Sequence, residues 1–199
     1  MAKKVSVRMT RDRWADWAVI GVVVVALLLG WGVMALAQGQ RGLYADERTG
    51  LTVRYPQGWL LKAGENLAFQ AVDPASGDFK TTYQVRLVPI DAAAAVTPTL
   101  ASVLNNASLA RAREGTAYRL FDIVEGRQLG GQPTMEATYV YVVESSNLFT
   151  QRLPAVILGL DVALARGDRA YIFSLLASED NFKKAEPAFR QFVKSAEIR

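Results

Sequence analysis

The stretch VILGLDVALARGDRAYIFSLLA, residues 156–177, decides the fold of the larger part of this 199-residue chain. Its apolar residues alternate from Val156 to Leu164, and a second apolar run extends from Ala170 to Ala177. The residues between the two runs are Arg-Gly-Asp-Arg, and Gly and Asp are preferred in the tight turn of a β-hairpin. The stretch therefore predicts two paired strands over residues 156–165 and 170–177, joined by a turn.

Asp161 interrupts the first of these two apolar runs. Alternation places its side chain on the face opposite Leu160 and Val162, which we expect to be the wetter face of the strand. The sequence therefore predicts a solvated or paired carboxylate at this position rather than a catalytic one.

Further strands are predicted on both sides of one helical segment. Alternating or continuous apolar runs indicate strands over 51–55, 67–72 and 82–90, with a short strand beginning at Trp59, which we expect to pack in the core. A second hairpin is predicted over 119–129 and 133–144, with Gly130-Gly131 as its turn. Its second arm has apolar residues on both faces, which predicts that both faces are covered.

Two amphipathic helices complete the predicted domain. The first is expected to begin with Thr97 as its cap and Pro98 as its first residue, and to end near residues 113–115. The second is expected to begin after Ser178 as its cap and to be kinked or interrupted at Pro187. Strands, a helix, four more strands and a helix predict an α+β fold in which helices cover the faces of a mostly antiparallel sheet.

A separate segment near the start, Trp17 to Ala37, contains no charged residue over 21 positions. As a helix it would be about 30 Å long, which matches the apolar thickness of a bilayer. Five basic and two acidic residues precede it, and this bias predicts a cytoplasmic N-terminus and a domain on the other side of the membrane. We therefore divide the chain into a basic tail (1–16), a transmembrane helix or uncleaved signal anchor (17–37), a short juncture (38–42) and an extracytoplasmic domain (43–199).

A cleaved signal peptide is the alternative to a retained anchor. Ala35-Leu36-Ala37 before Gln38 has the small-x-small form of a signal-peptidase site, and cleavage there would release a secreted protein. The apolar run is longer than the usual 7–15 residues of a signal peptide. The retained single-pass anchor in the cell membrane is therefore the favoured interpretation.

Composition excludes several classes of function. The chain has no cysteine and no histidine, which excludes disulfides, thiol nucleophiles, Cys/His zinc sites and histidine-based triads. Residues 38–199 hold 18 basic and 17 acidic side chains, and this near neutrality argues against nucleic acid as a partner. We predict no catalytic residue, no metal site and no cofactor.

Three short motifs of the domain resemble those of the PsbP-like family. They are Tyr44 followed by GLTVRYPQGW (50–59), the hairpin from IVEG (123–126) to EATYVY (136–141), and the close over residues 182–195. The resemblance implies an α/β/α sandwich of the kind found in extracytoplasmic or thylakoid-lumen domains. It also implies a non-catalytic accessory role, because the best-known members are accessory subunits that help photosystem II to retain calcium and chloride.

The sequence thus predicts a non-enzymatic, membrane-anchored accessory or assembly subunit whose partners are the lipid bilayer and a protein complex in the membrane. A binding module for a small apolar or lipid-like ligand is the alternative. The predicted partner-contact residues lie in the loop 145–153, where apolar side chains without clear periodicity stand among polar ones. They are Asn147, Leu148, Phe149 and Arg152.

Overall fold

A computed structural model describes residues 11–38, 41–62, 67–90, 98–114, 116–143 and 154–199. The chain divides into two compact units, Met1–Arg41 and Gly42–Arg199. The first unit contains helix α1, Arg11–Gln38, in which the described apolar side chains from Trp17 to Trp31 are exposed.

Helix α1 includes the predicted membrane segment in its sequence. No helix in the described part of the chain is both long enough and apolar enough to cross a membrane. The predicted membrane span therefore stays an interpretation of the sequence.

The described residues from Arg41 onward form two helices and ten strands. The helices are α2, Leu100–Glu114, and α3, Glu179–Lys194. The strands are β1 (Arg41–Asp46), β2 (Leu51–Pro56), β3 (Leu60–Leu61), β4 (Leu67–Val72), β5 (Thr82–Pro89), β6 (Thr116–Glu125), β7 (Thr134–Val143), β8 (Ala155–Arg166), β9 (Arg169–Ser178) and β10 (Glu197–Ile198).

These strands form two sheets. The larger has seven strands in the order β3-β4-β5-β9-β8-β7-β6, and each neighbouring pair is antiparallel. The smaller has the order β1-β2-β10. The hairpin predicted from residues 156–177 is β8 and β9, in the interior of the larger sheet, and the predicted α+β class with a mostly antiparallel sheet is confirmed.

Each face of the larger sheet packs against one helix. On one face, Phe189, Phe192 and Val193 of α3 are buried against Phe173 and other residues of the central strands. On the opposite face, Val103 and Leu104 of α2 are buried against small and branched side chains such as Ala163 and Ile172. Strands β8 and β9 are long apolar runs because both of their faces are covered over most of their length.

The predicted start of the first amphipathic helix needs correction. Helix α2 begins at Leu100, so Pro98 is not its first residue, and Thr97 lies outside the described residues. Thr99 caps this helix instead, because its Oγ1 accepts a hydrogen bond from the backbone N–H of Ser102 at 3.2 Å. Ser178 is the N-cap residue of α3 as predicted, but its side chain makes no capping hydrogen bond.

Other element boundaries differ by a few residues. Helix α3 continues through Pro187 instead of being interrupted there. The 119–144 hairpin begins earlier than predicted, at Thr116, and its Gly130-Gly131 turn is confirmed, with φ values of 54° and 80° that match the type I′ turn favoured in hairpins.

Candidate functional site

A buried ion pair lies between helix α2 and the larger sheet. Asp161 of β8 is only 1% exposed, and its Oδ2 forms a salt bridge with Nη1 of Arg111, the side chain of which is 12% exposed. The prediction of a wetter face was therefore wrong, because α2 covers that face, whereas the predicted pairing of the carboxylate is correct.

Two more polar side chains surround this ion pair. The hydroxyl of Tyr139 donates to Oδ1 of Asp161 at 3.1 Å, and Nη2 of Arg111 donates to Oγ of Ser174 at 3.0 Å. The guanidinium carbon of Arg111 also lies 4.6 Å from the centroid of the Tyr139 ring, which is a cation–π distance. Strands β7, β8 and β9 and helix α2 each contribute one member of the cluster.

The electrostatic environment stabilises the charged pair and the neutral tyrosine. Burial lowers the pKa of Arg111, but the Asp161 carboxylate and nearby tyrosines raise it by more, so the net shift is upward. Burial and the negative charge of Asp161 raise the pKa of Tyr139 well above its usual value. Arg111 is therefore charged, and Tyr139 protonated, throughout the physiological range.

The contacts within this cluster indicate a structural role. Among the described residues, no buried side-chain nitrogen or oxygen lacks a hydrogen-bond partner, and the described part of the chain contains no group of three or more acidic, histidine or cysteine residues that could hold a metal ion. Because its members bind one another and are sealed beneath α2, they present no free group to a substrate.

The surface at the β6 end of the larger sheet is different, because it exposes apolar side chains. Phe121 is 53% exposed, Val124 46% and Val156 42%. Val140 and Val142 of β7 are half-buried. Val142 is opposite Val156 of β8, and Val140 is opposite Arg119 of β6, two residues before Phe121. We call these five apolar residues the outer patch.

The outer patch lies where helix α3 leaves the sheet uncovered. Val140 and Val142 alternate with Tyr139 and Tyr141, which belong to the α2 face, while α3 packs mainly on β8 and β9. The prediction that both faces of β7 are covered therefore holds for Tyr139 but not for Val140 and Val142. Exposed apolar side chains on an uncovered part of a sheet are typical of an interaction site.

Charged residues border the outer patch. The guanidinium carbon of Arg119 lies 5.9 Å from the Phe121 ring centroid, and Glu136 of β7 accepts two hydrogen bonds from Arg190 of α3, at 3.0 and 3.1 Å. Apolar side chains combined with charged ones, arginine in particular, are common in protein–protein contacts.

The predicted contact loop cannot be placed beside this patch. Asn147, Leu148, Phe149 and Arg152 lie outside the described residues. Their segment joins β7 to β8 in sequence, and the described residues nearest to it on either side include two exposed valines, Val143 and Val156. Reasoning from the sequence missed Phe121 and Val124, although both stand in a strand with apolar residues on its two faces.

Other residues singled out in the sequence have structural positions. Trp59 packs against the core as predicted, with its ring 4.4 Å from that of Tyr83. Arg166-Gly167-Asp168 forms the turn between β8 and β9, with Gly167 at a φ of 61°.

Two surface cavities of the domain have volumes of about 490 Å³ and 320 Å³. The larger is lined mainly by charged side chains and backbone turns, and the smaller has a mixed lining that includes Arg166, Lys194 and Glu197. Pockets for apolar ligands are lined predominantly by apolar side chains, so neither cavity has the lining that the predicted lipid-like ligand would need.

Comparison with known proteins shows the fold and no more. No model of a known protein family matches the chain, and no curated protein matches it. The solved structures that it resembles include cyanobacterial PsbP (CyanoP) from Synechocystis sp. PCC 6803, with a TM-score of 0.59, 17% identity, and coverage of 80% of this chain and 92% of that one.

Two further structures share this architecture. The Ran-binding protein Mog1p from Saccharomyces cerevisiae has a TM-score of 0.52 and 7% identity, with 80% of this chain and 95% of that one covered. Protein PA94 from Pseudomonas aeruginosa, described as a putative regulator, has a TM-score of 0.50 and 15% identity, with 81% and 99% covered. The PsbP-like fold is thus shown, and at these identities the similarity carries no activity with it.

Proposed function

We propose that this chain is a non-catalytic accessory protein, attached to a membrane by residues 17–37, that binds a protein partner through the outer patch. The observation that carries the proposal is the exposure of Phe121, Val124 and Val156 on a sheet face that α3 leaves open. An exposed aromatic residue beside an arginine is typical of the anchor residues that dominate protein–protein contacts.

The fold supports an accessory role by analogy alone. One structure with this architecture is that of a Ran-binding protein and another is that of a PsbP protein. The same fold therefore has a binding role in at least one other protein. The absence of histidine and cysteine from the sequence removes the commonest general base and the commonest thiol nucleophile. A binding role therefore requires the fewest assumptions.

Membrane attachment is the second part of the proposal, and the sequence supports it. The uncharged run extends to Ala37, beyond the described side chains of α1, and the basic residues before it favour a cytoplasmic N-terminus. The partner is then a protein of the same membrane that presents an apolar surface on its extracytoplasmic side.

Site-specific photocrosslinking in native membranes tests the binding surface. A photoreactive phenylalanine analogue at position 121 should give one dominant protein adduct, and the same analogue at Leu109, equally exposed on the outer side of α2, should not. Phe121→Ser should reduce co-purification of that partner from mild detergent without lowering the melting temperature. Equal adducts at both positions, or undiminished co-purification, would reject the outer patch.

Membrane attachment is tested separately on the same preparation. The full-length chain should stay in the pellet after carbonate extraction at high pH, and protease added from the outside should degrade residues 43–199 in spheroplasts. A mature polypeptide that begins at Gln38 and is found in the soluble fraction would show the cleaved, secreted alternative instead. Digestion only after the membrane is opened would place the domain in the cytoplasm.

A further inference from the structure

The larger cavity lies where two turns of the domain meet, away from the outer patch. Residues 47–50 connect β1 to β2, residues 166–169 connect β8 to β9, and both segments line the cavity together with Tyr171 and Arg199. We call this cavity, of about 490 Å³, the basic cleft.

Hydrogen bonds hold the floor of the basic cleft in place. The buried hydroxyl of Tyr171 donates to the backbone oxygen of Thr49 at 2.9 Å, and the backbone N–H of Arg199 donates to the oxygen of Gly50 at 3.1 Å. Gly50 has a φ of 67°, and a Cβ atom there would come within 2.9 Å of the oxygen of Arg199. The two turns therefore form a fixed support for the side chains around them.

Four arginines line the basic cleft, against two acidic residues. They are Arg48, Arg166, Arg169 and Arg199, against Glu47 and Asp168. Arg169 is partly neutralised, because its Nε lies 3.7 Å from Oδ1 of Asp168. Among the described residues, the other three guanidinium groups form no salt bridge, so the cleft has an excess of unpaired positive charge.

Unpaired guanidinium groups around one cavity are suited to an oxyanion. Arginine presents a planar fork of N–H donors that matches the geometry of carboxylate and phosphate groups. A single carboxylate can pair with one guanidinium group. Three guanidinium groups at the rim of one cleft match a ligand with two or more negative charges. Neighbouring like charges also raise the local potential and favour the entry of such a ligand.

We propose that the basic cleft binds a small soluble molecule that carries two or more phosphate or carboxylate groups. This site is separate from the protein contact proposed above, and neither depends on the other. The ligand contacts Arg48, Arg166 and Arg199 directly, and Asp168 weakens its binding by repulsion and by competing for Arg169.

Calorimetric titration of the full-length chain in a non-ionic detergent tests the proposal, with inorganic pyrophosphate and citrate as the probes at low ionic strength. The double variant Arg48→Gln/Arg199→Gln should raise the dissociation constant about tenfold, since each exposed charge-assisted contact contributes modestly. The matched control Arg54→Gln/Arg127→Gln removes the same charge from exposed positions outside the cleft and should change the constant less than twofold.

Replacement of the acidic residue Asp168 should change the dissociation constant in the opposite direction. Asp168→Asn should lower the dissociation constant several-fold, because it removes a negative charge and releases Arg169. A preference for pyrophosphate over citrate, or the reverse, assigns the ligand to phosphates or carboxylates, and either supports the site. Absence of binding by both anions, or equal loss in the two double variants, would overturn it, and melting temperatures of all variants show whether the fold is retained.

Discussion

Gly159 of β8 lies directly opposite Tyr139 of β7, and a Cβ atom at position 159 would overlap the tyrosine ring. The ring is fully buried and lies beneath the Arg111 guanidinium, with its hydroxyl bound to Asp161. The missing side chain at position 159 therefore makes room for the aromatic ring on which the buried ion pair depends.

Gly159→Ala should destabilise the domain by about 1–3 kcal/mol, because the added methyl group must displace a packed ring or the strand backbone. In the Tyr139→Leu background, Gly159→Ala should lower the free energy of unfolding by less, because leucine does not fill the space of the ring. The four free energies of unfolding, measured by denaturant titration, form a double-mutant cycle. A cycle with no coupling between the two positions would contradict the close packing.

Asp161→Asn should be among the most damaging substitutions in this domain. It removes the charge that compensates Arg111 while the guanidinium stays buried, and loss of one partner of a buried ion pair costs about 3–5 kcal/mol. The double replacement Arg111→Met/Asp161→Leu should recover much of this loss, because it leaves no uncompensated charge. Chemical denaturation of the three proteins measures both effects.

The Asp168–Arg169 pair gives the matched control for that experiment. The side chain of Asp168 is 80% exposed and the two charged atoms are 3.7 Å apart, so Asp168→Asn should change the free energy of unfolding by less than about 1 kcal/mol. Equal destabilisation by Asp161→Asn and Asp168→Asn would show that solvent reaches Asp161.

The contrast between these two aspartates shows which features the sequence could predict. Alternation in residues 156–165 gave the strand and the correct face for Asp161, because period-two patterning is local. Burial of that face depends on α2, and the partner Arg111 lies 50 positions earlier in the chain. Ala110 continues the apolar spacing of Val103 and Ala107 in α2 but is exposed, whereas the adjacent Arg111 turns inward because it has a buried counter-ion.

The surfaces proposed for binding were harder to predict than the fold. Val140 and Val142 have the apolar pattern of a covered strand, and only the position of α3 over β8 and β9 shows that they are left partly open. The basic cleft brings together residues near positions 48, 167 and 199, which no local motif connects. The loop with Leu148 and Phe149 lies outside the described residues, so its predicted role stays a prediction.

The two helix N-termini provide a test of capping. Thr99→Ala should lower the free energy of unfolding by about 1 kcal/mol, because it removes the hydrogen bond that the backbone N–H of Ser102 donates to the Thr99 hydroxyl oxygen. Ser178→Ala should lower the free energy of unfolding by less than half as much as Thr99→Ala, since the Ser178 side chain makes no capping hydrogen bond. Thermal or urea unfolding of the two variants distinguishes them, and a larger effect at Ser178 would contradict the described geometry.

The buried tyrosines predict a loss of stability at alkaline pH. Burial raises the pKa of both Tyr139 and Tyr83 in the folded domain, so the unfolded chain loses these protons first as the pH rises above about 10. The stability that they contribute is complete below pH 10, and it falls by about 1.4 kcal/mol per pH unit for each such tyrosine until the folded pKa is reached.

Tyr139→Phe should therefore have two separable effects. At pH 7 it should destabilise the domain by about 1–2 kcal/mol, because Asp161 loses a hydrogen bond. Between pH 10 and 11 the free energy of unfolding should fall by about 1 kcal/mol less than in the wild type, since one ionising group has been removed from the unfolded chain. Urea titrations at pH 7, 10 and 11 measure both quantities. An unchanged alkaline slope would mean that Tyr139 ionises as readily in the folded domain as in the unfolded chain, and that α2 does not seal the cluster from water.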